Sequence, residues 1–198
     1  CKHTISAGKP IAGKSKKAFV IMTGIVKYIV RFILLIFVQV FVLDRIHLHQ
    51  MITPYLYFLF IIWLPFKMPR MALMLVAFFV GLTMDSFRQH PGFHAAACVL
   101  IAYIKPFLAN LLSPQQGKDF TYEEPSVKSF GTFTAYFTFI AMLSLLHNAW
   151  LFLLEAWQFG NIWYFIVKTV LSTAISILLI LITELIFTRK QKFKTNTV

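Results

Sequence analysis

The chain has 198 residues, of which 59% are hydrophobic and 13% charged, with a formal net charge of +12 and a mean hydropathy of +0.74. A soluble domain of this length does not hide that much apolar surface in one core, so most of the chain is expected to be solvated by lipid. The basic excess does not read as nucleic-acid binding, because no stacking or groove-reading module accompanies it.

Residues 1–21 carry five lysines, Lys2, Lys9, Lys14, Lys16 and Lys17, and little apolar content. They read as a basic N-terminal extension, either disordered or lying ahead of a true start at Met22. A lipidated Cys1 is the sharper alternative. The membrane domain is placed at 22–190 and a basic cytoplasmic tail at 191–198. Six apolar segments follow one another at about 29–43, 52–66, 71–84, 93–112, 131–154 and 162–187. Each approaches the ~20 residues that a helical crossing needs. The second and third are short and joined by Lys67-Met-Pro-Arg70, so they read as tilted hairpin partners, or one as re-entrant. No alternation of period two runs through any segment, which favours helices over a membrane barrel.

Fifteen of the 19 basic residues fall in 1–31, 67–70, 114–130 and 188–198. Arg45 and Arg88 occupy the intervening loops, and Lys105 and Lys168 lie within spans. This is the positive-inside pattern, and it predicts both termini in the cytoplasm with contact to anionic lipids. Trp63, Trp150, Trp157, Trp163 and Tyr164 are expected at the interfaces as an aromatic belt. The two cysteines, Cys1 and Cys98, form no disulfide or metal spacing, and Cys98 reads as a small apolar residue in a span.

The most informative run is Gly81-Leu-Thr-Met-Asp85-Ser-Phe-Arg88-Gln-His-Pro-Gly92-Phe-His94-Ala95. Gly81 and Asp85, four apart, share a helix face. Arg88 is spaced to pair with Asp85 in a last turn. A carboxylate at this depth is costly unless paired or facing protein. It is therefore a packing and charge site for assembly, or else an interfacial residue that ends the helix and meets water. Gly92, Ala95, Ala96 and Ala97 allow close helix approach. His90 and His94 are four apart, but Pro91 and Gly92 break the helical spacing that two metal-binding imidazoles require. His47 and His49, near Asp44, read as interfacial. His147 and Asn148 are expected to hydrogen-bond between helices, and Lys105 and Glu184 to snorkel to water. No phosphate-cradling loop, zinc-protease motif or nucleophile elbow is present, so no enzyme, cofactor or metal is assigned.

The run Gly81-x-x-x-Asp85, then Gly92-x-x-Ala95 and a small apolar helix reaching Tyr103, resembles the bacterial rod shape-determining protein MreD family. Arg-Phe-x-Leu-Leu-x-x-x-Gln from Arg31 to Gln39 agrees with it, over roughly residues 22–190. The turn Arg88-Gln-His-Pro91, Lys105 and the 1–21 segment depart from the family pattern. The resemblance implies an all-α integral membrane protein with six transmembrane helices, N-in and C-in. It implies a fold similar to the substrate-binding subunits of energy-coupling-factor transporters. It also implies a non-enzymatic inner-membrane scaffold of cell elongation. Its expected partners are MreC and, through MreC, MreB, RodA and the elongation transpeptidase. Gly81, Asp85, Arg88, Gly92 and Ala95 are then the partner-binding or packing residues. The rival is a small-solute-binding transporter subunit, whose pocket would draw on His90, His94, Asn148 and Trp157. A membrane enzyme acting on lipid-linked substrates is disfavoured by the lack of acid–base pairs.

Overall fold

The computed structural model describes residues 26–45, 53–89, 92–113, 124–156 and 162–187, and among these the chain is helical with no strand. The extension 1–21, the tail 191–198, His47, His49, His90 and Trp157 lie outside the described residues. Among the described residues five helices are long and apolar enough to cross a membrane: α1 (Val26–Leu43), α3 (Arg70–Arg88), α4 (Phe93–Leu112), α6 (Phe133–Ala156) and α7 (Ile162–Ile186). Two short ones, α2 (Leu59–Trp63) and α5 (Val127–Phe130), lie between them.

The long helices turn large apolar side chains outward. Ile29, Ile33, Phe79, Phe107 and Leu185 are all at least half exposed. Small and polar side chains face inward instead. On α4 the buried stripe is His94, Ala95, Ala97, Cys98, Ile101, Ala102 and Lys105. On α7 it is Thr169, Ser172, Thr173, Ser176 and Ile180. This is how membrane helices pack, because lipid solvates Phe and Leu as well as a protein core does.

The segment 52–66, expected as a short sixth span, tilted or re-entrant, is helical only in part. Residues 53–56 carry no regular structure, a turn follows at 57–58, and only Leu59–Trp63 is helical. Every residue from Tyr55 to Leu64 is buried, so this stretch runs through the middle of the bundle. Thr53 bonds Ser172 and Trp63 bonds Glu184 on α7, a separation of about 18 Å along a helix axis. A helix over 53–63 would span only about 15 Å, and the extended start lengthens the segment toward that distance.

Irregular backbone at membrane depth is stable only when protein satisfies it. Four side chains from three helices do so here. Ser172 Oγ accepts from Thr53 N at 3.1 Å and Ser176 Oγ from Tyr55 N at 3.0 Å. Gln39 Oε1 accepts from Leu56 N at 2.7 Å, while its Nε2 donates to Pro54 O at 3.1 Å and to Asp44 Oδ1 at 2.9 Å. At the other end Lys105 Nζ donates to Ile61 O at 2.9 Å and Leu64 O at 2.7 Å. An ammonium at the C-terminus of α2 meets the negative end of that helix as well as its orphan carbonyls. Gln39 lies in a π-helical stretch, Val38–Leu43, closed by Asp44 N on Gln39 O at 2.9 Å. Such a bulge lets one side chain leave the regular helical register.

Lys105 therefore does not snorkel: it is 2% exposed and bound to backbone. Glu184 also turns inward, accepting from Trp63 Nε1 at 2.9 Å and from the Tyr136 hydroxyl. Trp63 is buried rather than part of an interfacial belt. Lys168, within α7, pairs with Glu155 at 2.8 Å.

Candidate functional site

Helices α3 and α4 meet at an antiparallel junction built from the central sequence run. Gly81 on α3 lies against the backbone of Ala95 on α4. A Cβ placed at Gly81 would fall 2.4 Å from Ala95 Cα and 2.6 Å from both Ala95 N and His94 O. Only hydrogen fits in that space. One turn further along the same face, Asp85 reaches the start of α4. Its Oδ1 accepts from His94 N at 2.9 Å and its Oδ2 from Ala95 N at 3.0 Å. These amides belong to the first turn of α4, where no intrahelical acceptor exists. The carboxylate also meets the positive end of the α4 macrodipole. Asp85 is buried, and this arrangement replaces the water that burial removes.

The chain between the helices is shaped to the same end. Gln89 closes α3 at φ 56° and Gly92 precedes α4 at φ 83°. The Gly92 value lies in the left-handed region, where glycine carries no Cβ penalty. Gly81, Asp85, Gly92 and Ala95 thus form one local structure, in which α4 is capped by a side chain of α3.

Arg88 is not part of that junction. Its expected partner was Asp85, but Asp85 faces α4 while Arg88 faces α1 and the buried segment. Its Nε donates to Asp44 Oδ2 at 3.1 Å and its Nη2 to Asp44 Oδ1 at 2.5 Å. Its Nη1 donates to the Tyr55 hydroxyl at 3.0 Å, with the guanidinium carbon 5.0 Å from that ring's centre. This two-pronged pair ties the end of α3 to the end of α1.

Behind the junction lies a buried polar cluster centred on Tyr57. Its hydroxyl stands 2.9 Å from His94 Nδ1 and 2.9 Å from His147 Nε2, with Cys98 Sγ at 3.8 Å. One hydroxyl donates a single hydrogen. For neutral rings, Tyr57 therefore donates to one imidazole and accepts from the other. Asn148 Nδ2 donates to Thr173 Oγ1 at 3.1 Å, which leaves Asn148 Oδ1 facing His147 Nδ1 at 3.4 Å. With the Asn148 amide in this orientation the hydrogen of His147 is on Nδ1, its Nε2 accepts from Tyr57, and His94 Nδ1 donates to Tyr57. His147 and Asn148 do bridge elements, as their types suggest. His94 serves this cluster. Among the described residues no group of three His, Cys, Asp or Glu side chains is close enough to hold a metal ion.

At the opposite end of the bundle, Glu124 gathers α1. Its Oε1 accepts from Lys27 Nζ at 2.6 Å and from the Tyr28 hydroxyl at 2.8 Å, and its Oε2 from Arg31 Nη1 at 3.0 Å. Burial alone would raise its pKa, but these three bonds outweigh it and hold the carboxyl below the ordinary 4.5.

Composition and periodicity gave no signal for Tyr57, Tyr55, Asp44 or Glu124. Each acts through a partner at least 33 residues away. Gln39 stood in the sequence run of α1, but its target did not. Among the described residues the fold and the site define a helical bundle with five helices long and apolar enough to cross a membrane, locked by polar contacts inside it. No protein-family model, curated protein or solved structure matches the chain.

Proposed function

We propose that the chain is a non-enzymatic scaffold of the bacterial cytoplasmic membrane, of the MreD kind, which binds MreC within the membrane. MreC would connect it to MreB, RodA and the elongation transpeptidase. The observation that carries this reading is the Gly81–Asp85 junction. The residues on which the resemblance rests, Gly81, Asp85, Gly92 and Ala95, converge on one capped helix start. Arg31 and Gln39, from the other part of the resemblance, contact Glu124 and the buried segment. A motif whose members shape the bundle suits a protein whose outer surface does the work.

The same reading takes 53–63 as a second crossing and places both termini in the cytoplasm. In support, Lys27, Arg31, Lys67 and Arg70 sit at the starts of α1 and α3, on one side by the positive-inside rule. The solute-binding rival asks for an open polar pocket. His94 and Asn148, two of the residues it would draw on, are fully buried and hydrogen-bonded to Tyr57 and Thr173, which counts against it.

The test is an affinity pull-down of the tagged protein from membranes in mild detergent, with mass spectrometry of the co-purified proteins. Stoichiometric MreC is the expected result. An ATPase pair with a transmembrane coupling subunit, and no MreC, would overturn the scaffold reading.

A further inference from the structure

The basic end of the bundle carries two adjoining hollows that share a wall. The first is a groove of about 490 Å³ between α1 and α3. Ile29 and Phe32 line one side, Val76 and Phe79 the other, and Phe60 and Leu64 of the buried segment form its floor. The second is a cleft of about 290 Å³ bordered by Arg70 and Lys105. Pro65 and Met68 line both, so one turn, which also carries Lys67, separates a carbon-lined groove from a cationic rim.

The charges at this end are not equivalent. Lys27 and Arg31 share the single carboxylate of Glu124 at 2.6 and 3.0 Å, which offsets one of their two charges. Among the described residues no carboxylate pairs with Lys67 or Arg70. Lys105, which also borders the cleft, is buried and donates to Ile61 O and Leu64 O. A carbon-lined groove, adjoining Lys67 and Arg70 with no carboxylate on them among the described residues, complements a molecule with an apolar chain and an anionic head.

We propose that this composite site binds one anionic membrane phospholipid, with an acyl chain in the α1–α3 groove and its phosphate at Lys67 and Arg70. The inference goes beyond the scaffold function and does not depend on it. A phosphate at this position would receive charge-assisted hydrogen bonds from Arg70, while the groove takes chain carbon that would otherwise contact bulk lipid. The lipid would then fill the gap between α1 and α3 that the short α2 leaves open.

Native mass spectrometry of the full chain, titrated with phosphatidylglycerol or phosphatidylcholine, tests the head-group claim. The expected result is one phosphatidylglycerol bound at least about tenfold more tightly than phosphatidylcholine. The preference should vanish in the double variant K67E/R70E, whose positions are exposed. Val76→Trp should weaken retention of both lipids by filling the groove. Equal binding of the two lipids, or an unchanged preference in K67E/R70E, would overturn the proposal. A photo-crosslinking residue at position 79, activated in living cells, tests occupancy separately. An adduct with the mass of an anionic phospholipid supports the site. An adduct with a protein, or with a polyprenyl carrier, overturns it and assigns the groove to that partner. Thermal melting of each variant in detergent identifies any that fails to fold, and Lys67→Gln with Arg70→Gln then replaces it in the same comparison.

Discussion

Replacing Gly81 by alanine isolates the contact on which the α3–α4 junction depends. The added methyl would lie 2.4 Å from Ala95 Cα, and ordinary carbon contact requires about 1 Å more. The obstructing atoms are backbone, so no side chain can swing aside. The helices must separate, and a ~1 Å shift would stretch the 2.9 and 3.0 Å bonds from His94 N and Ala95 N to Asp85 beyond useful hydrogen-bond length. Each bond to a charged acceptor contributes roughly 1.5–3 kcal/mol, and overpacking adds roughly 1–3 kcal/mol. Because the terms are coupled they do not simply sum, and the expected loss is about 3 kcal/mol or more. Equilibrium unfolding in mixed micelles with increasing dodecyl sulfate measures it. A second arm tests the mechanism. In an Asp85→Asn background the same glycine substitution should cost less, since one of the bonds it stretches is already weakened. A G81A protein within about 0.5 kcal/mol of the parent, or full additivity with D85N, would refute the reasoning.

Arg88→Lys should behave as a disruptive change despite conserving charge, because an ammonium cannot make the forked contact to Asp44 and still reach Tyr55. A loss of about 1–3 kcal/mol is expected, and a double-mutant cycle with Asp44→Asn should show strong coupling. Lys105→Met removes the donor for two buried carbonyls, Ile61 O and Leu64 O, at an expected cost of about 2 kcal/mol or more. Amide hydrogen exchange should localise the loosening to residues 59–64. Gly92→Val should destabilise the chain by roughly 1–2 kcal/mol while Gly92→Asn costs less, since φ 83° and not space is the constraint. Glu124 sets an acid limb. Its folded pKa is depressed, so its contribution is complete above the ordinary 4.5 and is lost as pH falls through the lower folded value. Melting temperature followed from about pH 7 to about pH 3 should drop less steeply for Glu124→Gln. Parallel curves would remove Glu124 as the cause.

Apolar runs and charge placement made the helical membrane class legible without coordinates. Both are one-dimensional signals: a segment is either long and apolar enough to lie in lipid or it is not, and lysines cluster at segment ends. The common face of Gly81 and Asp85 was likewise readable, because a four-residue spacing within one helix needs no tertiary information. The use of that face was open between packing and contact with water. What Asp85, Arg88, Lys105 and Glu184 bind was decided by tertiary structure alone. Arg88 is three residues from Asp85 yet pairs with Asp44, because the direction of a helix face relative to a neighbour is set by packing and not by local spacing. The conformation of 53–64 was also beyond local reading. Its apolar residues suit a buried helix or a buried extended stretch equally well. The choice falls to Gln39, Ser172, Ser176 and Lys105, which supply hydrogen bonds to backbone that water cannot reach. In lipid an unsatisfied backbone group costs several kcal/mol, so distant donors and acceptors override what neighbouring residues prefer.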